Sequence, residues 1–358
     1  MNTFHTLKIS NITRETRDAV VLTFEAPENL REQYHYTQGQ HLTLRTHINN
    51  EEVRRSYSIC SSVQDDQLRV AIKKVAGGLF SEWANSHLKV GDAVDVLPPT
   101  GHFNVTLSPE NKKHYAAFAA GSGITPILSI IKTTLQTEPQ SRFTLMYGNR
   151  ASSSIMFKEA LEDLKDTYLQ RFNLVFVMSR EQQDIPLFNG RMDRAKCDAL
   201  LEHWLDASSI DVAFTCGPEE MMHNVSASLQ AHGLDKQQIK MELFVAGIPS
   251  PNRVAPVHHV VGQAACQVTV IQDGRSRTFG MDKNKQSVLD AALAQGIELP
   301  YSCKGGICST CRAKLIEGEV DMDNNFALED YEVARGFVLC CQSFPVTDAV
   351  TVDFDQET

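Results

Sequence analysis

At 358 residues the chain is long enough for two or three domains, and its 42% hydrophobic and 22% charged composition is that of an ordinary globular protein without low-complexity tracts. The net charge of -10 argues against nucleic acid as a partner, since no basic stripe is present to displace counterions, and it suits steering towards a basic protein surface. No stretch nears 18 apolar residues, which argues against a bilayer-spanning helix, and MNTFHTLKIS lacks the charged-then-apolar pattern of an export signal.

In chain order, residues 1–107 read as strands. Ala19–Glu25, Gln40–Thr46, Arg54–Cys60 and Leu68–Lys74 are rich in β-branched residues and are punctuated by Gly, Asn and Pro. Short strands at this spacing predict an antiparallel β-barrel. Over residues 108–245 the rhythm changes. YAAFAA leads into GSGITP and then a helical pattern with Ile127, Ile130, Ile131 and Leu135 on one face. FTLMYGN, a helix through Phe157, Leu161, Leu164 and Tyr168, LVFVMSR, a helix over Arg194–Leu205, DVAFTCGP and a helix from Glu219 continue the alternation. That pattern predicts an α/β domain with a parallel sheet covered on both faces. Residues 246–263 hold three prolines and no periodicity, and read as a linker in which His258 and His259 lack ligand spacing. Residues 264–358 read as a compact α+β unit. In it, Ser287 and Asp290 resemble a capping box opening a helix with Val288, Leu289, Ala292 and Leu293 inward. Trp83 and Trp204 read as core.

Five of the nine cysteines crowd between Cys303 and Cys341. An odd count in a chain without an export signal reads as metal chemistry in a reducing compartment, the cytoplasm, and not as a disulfide framework. Cys303, Cys308 and Cys311 have the spacing C-x4-C-x2-C, with Cys341 thirty residues beyond Cys311. This is the plant-type spacing of a 2Fe-2S cluster, in which each iron takes two thiolates. Zinc sites favour two C-x2-C pairs, and only one is present. Gly305 and Gly306 let backbone N–H groups approach the sulfurs. Cys340 and Cys341 are neighbours, and on a strand they would point to opposite faces, so one of them reaches the cluster. The spacing selects Cys341, and the string Leu339-Cys340-Cys341-Gln342 resembles the ferredoxin pattern in which the ligand precedes Gln.

Arg55-Ser56-Tyr57-Ser58 resembles the R-x-Y-S signature of the ferredoxin–NADP reductase superfamily. An Arg can grip a flavin phosphate bidentately, Tyr57 can pack on the ring system, and the Ser58 hydroxyl can bond the hydride-accepting nitrogen. In the string Gly77 to Ser81, Gly78, Leu79 and Ser81 stand where a helix start offers N–H groups to a pyrophosphate. Taken alone, an Arg and a Tyr on a strand are more often surface and core residues. GSGITP, with Gly121, Gly123, Thr125 and Pro126, sits at a strand-to-helix turn of the kind that binds dinucleotides. Its proline departs from the common glycine fingerprint and is itself the superfamily's form, as is Cys216-Gly217-Pro218. The resemblance implies that Cys216 lies near the nicotinamide and Thr125 near the flavin; without it, Cys216 reads as a buried strand-end thiol. Ser179-Arg180 at a strand end resembles the string that binds the 2′-phosphate of NADPH, and Arg150 is a second cation for it. A solvated strand-end Arg is the bland alternative.

With the three motif sets in this order, the whole chain resembles the reductases that feed multicomponent oxygenases. The resemblance implies a ferredoxin-like 2Fe-2S domain of β-grasp fold and a flow of electrons from NADPH through FAD and the cluster to a di-iron oxygenase. The oxygenase implied is one that epoxidises the ring of a phenylacetyl-CoA thioester. A similar reductase for a ring hydroxylase, a desaturase or a hybrid-cluster protein is the alternative within the class. A zinc-bearing redox sensor or structural protein is the alternative outside it. The acidic residues Glu317, Glu319, Asp321, Asp323, Glu329 and Asp330 form either a docking face for a basic partner or a solvated face.

Overall fold

The structure is a computed structural model and describes residues 3–244 and 264–356. The linker expected over residues 246–263, with its two histidines, lies outside the described residues. The chain forms two units, one built on residues 4–53 and 57–244 and the other on residues 264–356 together with residues 54–56.

The first unit opens with six strands: β1 (His5–Thr16), β2 (Ala19–Glu25), β3 (His41–Ile48), β4 (Glu51–Ser58), β5 (Leu68–Lys73) and β6 (Ala93–Val96). They lie in the order β4-β3-β6-β1-β2-β5, and β1 pairs antiparallel with both β2 and β6. A bridge between Ile59 and Val70 joins the two outer strands, so the sheet closes on itself as the barrel expected from the turn spacing. Leu7, Ile9, Leu22, Leu42, Leu44, Val70, Ile72 and Val96 fill it at near-zero exposure. The helix α1 (Leu79–Ser86) buries Phe80 and Ala84 against this core. The long β1 and the short β6 complete the sheet beyond the four strands legible in the sequence.

Strand and helix then alternate: β7 (His114–Ala120), α2 (Ile124–Thr137), β8 (Arg142–Asn149), α3 (Lys158–Thr167), β9 (Phe172–Met178), α4 (Arg194–His203), β10 (Val212–Gly217), α5 (Glu219–Ala231) and β11 (Ile239–Leu243). The sheet order is β11-β10-β7-β8-β9, with all four pairings parallel. The order reverses between β7 and β10, and the crevice at such a switch point is where open α/β sheets bind ligands. α2 is buried nearly all round, as its central position requires: Ile124, Ile127, Ile130, Ile131 and Leu135 are buried, and so are Thr125, Ser129, Thr133 and Thr134. Trp204 corrects the sequence reading. It caps the C-terminus of α4, two residues short of the expected helix end, and is 44% exposed. There it packs edge-on against Phe188, with ring centroids 5.0 Å apart, because it stands beyond the last inward-facing position of its helix.

The second unit contains β12 (Ala265–Gln272), β13 (Arg275–Asp282), α6 (Val288–Ala294), β14 (Arg312–Glu317), β15 (Val320–Met322), α7 (Asp330–Ala334), β16 (Phe337–Leu339), β17 (Ser343–Pro345) and β18 (Ala349–Asp353). Its mixed sheet runs β13-β12-β18-β14-β16, with β12 and β18 parallel, and β15 pairs with β17. α6 begins as its cap predicts: Ser287 accepts from the Asp290 N–H, and Val288, Leu289, Ala291 and Ala292 are buried. Lys283 is fully buried and offsets that cost by donating to the Val346 carbonyl at 2.9 Å and the Asp348 carboxylate at 2.7 Å.

Gly39 (φ +85°) is buried in the turn before β3, where a Cβ would lie 2.0 Å from the Phe103 carbonyl oxygen, whereas Gly91 (φ +92°) faces open space. Both positions favour glycine, but only the first adds a clash with backbone. Gly39→Ala is expected to lower the unfolding free energy by about 1–3 kcal/mol more than Gly91→Ala, measured by denaturant titration.

Candidate functional site

Ser58 ends β4 and is 3% exposed. Its Oγ donates to Oε2 of Glu242 on β11 at 3.1 Å, one of several side-chain bonds, with Lys132–Asp65 and Gln64–Thr137 among them, that join the barrel to the α/β half. Glu242 lies opposite Cys216 in the register of β10 and β11. It keeps some exposed surface, yet protein atoms crowd its carboxyl. That burial pushes its pKa up to about 8, against which the Ser58 bond acts. Cys216 is fully buried; burial first, and the Glu242 charge second, push its thiol far above the ordinary range. Cys216 is therefore a neutral thiol, not a nucleophile.

The Gly121–Gly123 turn meets the same place. A Cβ on Gly123 would lie 2.1 Å from the Cys216 carbonyl oxygen and 2.9 Å from the Gly217 nitrogen, so glycine is required where the turn touches the end of β10. Gly121 takes φ +56° with open space around its Cα, and its carbonyl accepts from Tyr147 Oη at 2.9 Å. Thr125 and Pro126 are buried in the first turn of α2, and Thr125 Oγ1 donates to the Ser122 carbonyl. Pro218 is exposed at the start of α5.

Tyr57 packs on Phe80, with ring centroids 5.6 Å apart, and Phe80 packs in turn on Trp83. Gly78 is the N-cap of α1 and no side chain caps that helix, so its first N–H groups are available to an anion. Leu79 is exposed there. Ser81 is committed within the turn, accepting from Val75 N and donating to the Gly78 carbonyl, both at 3.1 Å. Arg55 is exposed, and its Nη1 donates to the Arg54 carbonyl at 2.7 Å. Uncapped N–H donors and glycines at close approach are what a dinucleotide and its pyrophosphate need, so the residues present fit FAD and a nicotinamide nucleotide.

Arg150, Ser179 and Arg180 come together at the ends of β8 and β9. Arg180 N donates to the Arg150 carbonyl at 2.9 Å, and Ser179 N to the Asn149 carbonyl at 2.9 Å. Both arginines are exposed.

In the second unit, Cys303 Sγ and Cys308 Sγ are 3.2 Å apart. Cys341 bonds the sulfurs of both Cys303 and Cys311. Bonds from Cys308 and Cys341, with further donation from the backbone of Gly305 and Ile307, hold Cys303 well below the ordinary thiol range, and its partners Cys308 and Cys341 are pushed up. The loop has the shape that close approach requires: Gly306 takes φ +75°, where a Cβ would lie 2.6 Å from the Asn324 carbonyl oxygen. Four convergent sulfurs with amide N–H groups aimed at one of them fit a plant-type cluster. The doublet corrects the strand argument. Cys340 and Cys341 lie in a turn beyond β16, so strand alternation does not separate them. The backbone does: Cys340 N donates to the Cys311 carbonyl and Leu289 N to the Cys340 carbonyl, and this thiol is fully buried, whereas Cys341 bonds the sulfurs of Cys303 and Cys311. Gln342 Nε2 donates to the Lys304 and Cys341 carbonyls, tying the ligand turn to the cysteine loop.

Glu242 is the residue that sequence reasoning missed. Its only signal there is an acidic residue inside a short apolar strand, MELF, which marks a buried carboxyl without saying what it faces.

Family models match along the chain in the expected order: an oxidoreductase FAD-binding domain over residues 6–105, an oxidoreductase NAD-binding domain over 118–227 and a 2Fe-2S iron–sulfur cluster binding domain over 270–346. The chain is 46% identical over 355 residues to a component of the 1,2-phenylacetyl-CoA epoxidase of Escherichia coli K12, covering 99% of both proteins. This chain belongs to the flavin iron–sulfur reductases of oxygenase systems. The reductase is also 34% identical to the ferredoxin reductase component of 3-ketosteroid-9-alpha-monooxygenase from Rhodococcus rhodochrous, over 97% of this chain and 96% of that one. Its fold matches phthalate dioxygenase reductase, a modular structure for electron transfer from pyridine nucleotides to a 2Fe-2S centre, with a TM-score of 0.58 at 23% identity over 98% of each chain. Among the described residues no helix is long and apolar enough to cross a membrane.

Two outcomes are expected. Cys341→Ser abolishes the visible cluster spectrum and Cys340→Ser leaves it, as read from absorption of the purified proteins. Glu242 holds its proton in the folded state up to about pH 8 and loses it at ordinary carboxylate pH when unfolded. The stabilisation from that proton is complete below the unfolded pKa and lost as pH rises through the folded one. Glu242→Gln therefore gains stability relative to the wild type between about pH 5 and pH 8, measured by urea unfolding across that range.

Proposed function

We propose that this reductase carries electrons from NADPH through FAD and its 2Fe-2S cluster to the di-iron oxygenase of a phenylacetyl-CoA epoxidase system in the cytoplasm. The observation that carries the reading is the 46% identity to a phenylacetyl-CoA epoxidase component over 99% of both lengths, which leaves no domain unmatched. In this reading residues 1–107 hold FAD, 108–245 hold NADPH, 246–263 link, and 264–358 hold the cluster.

When bound, FAD would supply acceptance of one hydride, two electrons at once, and the cluster would supply one-electron transfer, so the chemistry that converts pairs to single electrons belongs to the cofactors. The protein's part is placement. Arg55 and the uncapped first turn of α1 at Gly78 and Leu79 take the pyrophosphate of FAD, Ser81 shapes that turn, and Tyr57 flanks the ring. The Gly121–Gly123 turn, Thr125, Pro126, Gly217 and Pro218 receive the nicotinamide nucleotide, with the neutral thiol of Cys216 beside it. Ser58 Oγ, bonded to Glu242 Oε2 at 3.1 Å, orients a hydroxyl at the site, and Glu242 holds a proton there at neutral pH. Cys303, Cys308, Cys311 and Cys341 ligate the irons. Arg150, Ser179 and Arg180 meet the 2′-phosphate: two guanidiniums and a hydroxyl suit a dianion, whereas an NAD site favours a carboxylate on the ribose.

A second acceptor has one observation in its favour, the 34% identity to a steroid monooxygenase reductase. The test is twofold. Purified protein should show flavin and iron–sulfur absorption that bleaches on adding NADPH, and a colourless, zinc-containing preparation would overturn the reading. Combined with the cognate oxygenase, it should support NADPH-dependent oxygenation of phenylacetyl-CoA. Normal bleaching with no such turnover would redirect the electrons to another oxygenase.

A further inference from the structure

Arg150 and Arg180 stand side by side and exposed at the ends of β8 and β9, joined through the Arg180 N–H and the Arg150 carbonyl. Neither guanidinium has a carboxylate or hydrogen-bond partner among the described residues. Adjacent like charges repel, so the pair is at a disadvantage until an anion bridges it. Yet an anion is at hand. Glu181 follows Arg180 directly, and a partly exposed carboxylate beside two guanidiniums would ordinarily fold onto them. It does not. Its Oε2 accepts from the backbone N–H of Ser152 at 2.7 Å, and its Oε1 accepts from the hydroxyl of the same residue. These bonds, from the Ser152 hydroxyl first and its N–H second, hold the Glu181 carboxyl below the usual carboxylate range. Ser152 lies two residues after Arg150, in the short helical turn Ser152–Ser154 that follows β8. One residue thus offers Glu181 two donors, and among the described residues no ion pair joins Glu181 to either arginine.

We propose that Ser152 is a positioning residue for coenzyme selection: it sequesters the Glu181 carboxylate and so keeps Arg150 and Arg180 unpaired for the 2′-phosphate of NADPH. This rests on the NADPH reading above and gives it a second layer, because two arginines neutralised by a neighbouring carboxylate would offer a phosphate dianion little. Removing the hydroxyl leaves the N–H donor but releases half of the hold, and Glu181 then competes with the phosphate for the guanidiniums.

The test uses the full-length holoprotein as wild type, Ser152→Ala, Glu181→Gln and the double variant. Steady-state KM is measured for NADPH and NADH, and binding of adenosine 2′,5′-bisphosphate and of 5′-AMP is measured by calorimetry. Ser152→Ala is expected to raise the KM for NADPH and weaken bisphosphate binding by about three- to tenfold, while the KM for NADH and the affinity for 5′-AMP do not follow. The double variant is expected to regain wild-type bisphosphate affinity, since no carboxylate remains to compete. A purely structural role for Ser152 would leave the double variant as weak as the single one, and that result overturns the proposal. So does Ser152→Ala with unchanged bisphosphate binding in a protein whose wild type prefers NADPH. If the wild type binds the bisphosphate no more tightly than 5′-AMP, the NADPH reading itself falls, and this inference with it.

Discussion

Gly123 has no room for a side chain, because a Cβ there would lie 2.1 Å from the carbonyl oxygen of Cys216. That single approach joins the loop after β7 to the end of β10, the two strands between which the sheet order reverses. The crevice geometry of the α/β half depends on it. With the two in contact, the first turn of α2, carrying Thr125 and Pro126, and the end of β10 face one site. The parallel register of β10 and β11 then sets Glu242 beside Cys216, and the Ser58 bond draws the end of β4 to the same point. Four separated segments of chain converge because two backbones touch where only glycine permits it.

Burial sets the chemistry of that convergence. Cys216 and Glu242 would both carry or approach charge in water; packed here, each is pushed towards its neutral form. A neutral thiol and a protonated carboxyl beside a serine hydroxyl make a site that stores a proton without carrying a fixed charge. The same logic runs in reverse at the cysteine loop, where thiols packed against one another and against amide N–H groups favour a thiolate at Cys303. One site stabilises neutral forms by excluding water, the other stabilises negative sulfur by donating hydrogen bonds. The 46% identity to a component of an epoxidase places the chain in a family that needs both: a site for hydride chemistry and a site for metal.

What is legible in the sequence is whatever chemistry demands at short range. The Ser287 cap and the strict strand–helix alternation are local patterns that stand in the structure as read; the C-x4-C-x2-C spacing and the glycines of GSGITP are local patterns too, and the family models match the domains that carry them. Strand Ala19–Glu25 has the bounds expected from its composition, because its β-branched run is interrupted sharply at both ends. Trp204 reads as core and is not, because a tryptophan near a helical pattern resembles core until its position relative to the last inward turn is known.

The sequence by itself determined the order of the three domains and the cofactor classes, since cysteine spacing and turn glycines are written in contiguous residues. Only the tertiary structure decided which distant groups meet. Glu242 is 184 residues from its partner Ser58, and no local pattern foretells that contact. The separation of Cys340 from Cys341 came from a turn and its backbone bonds to Cys311 and Leu289, not from strand alternation. The arginine pair at Arg150 and Arg180, and the carboxylate turned away from it, exist because parallel strands thirty residues apart end side by side. Such contacts follow from register, and register is a property of the folded sheet.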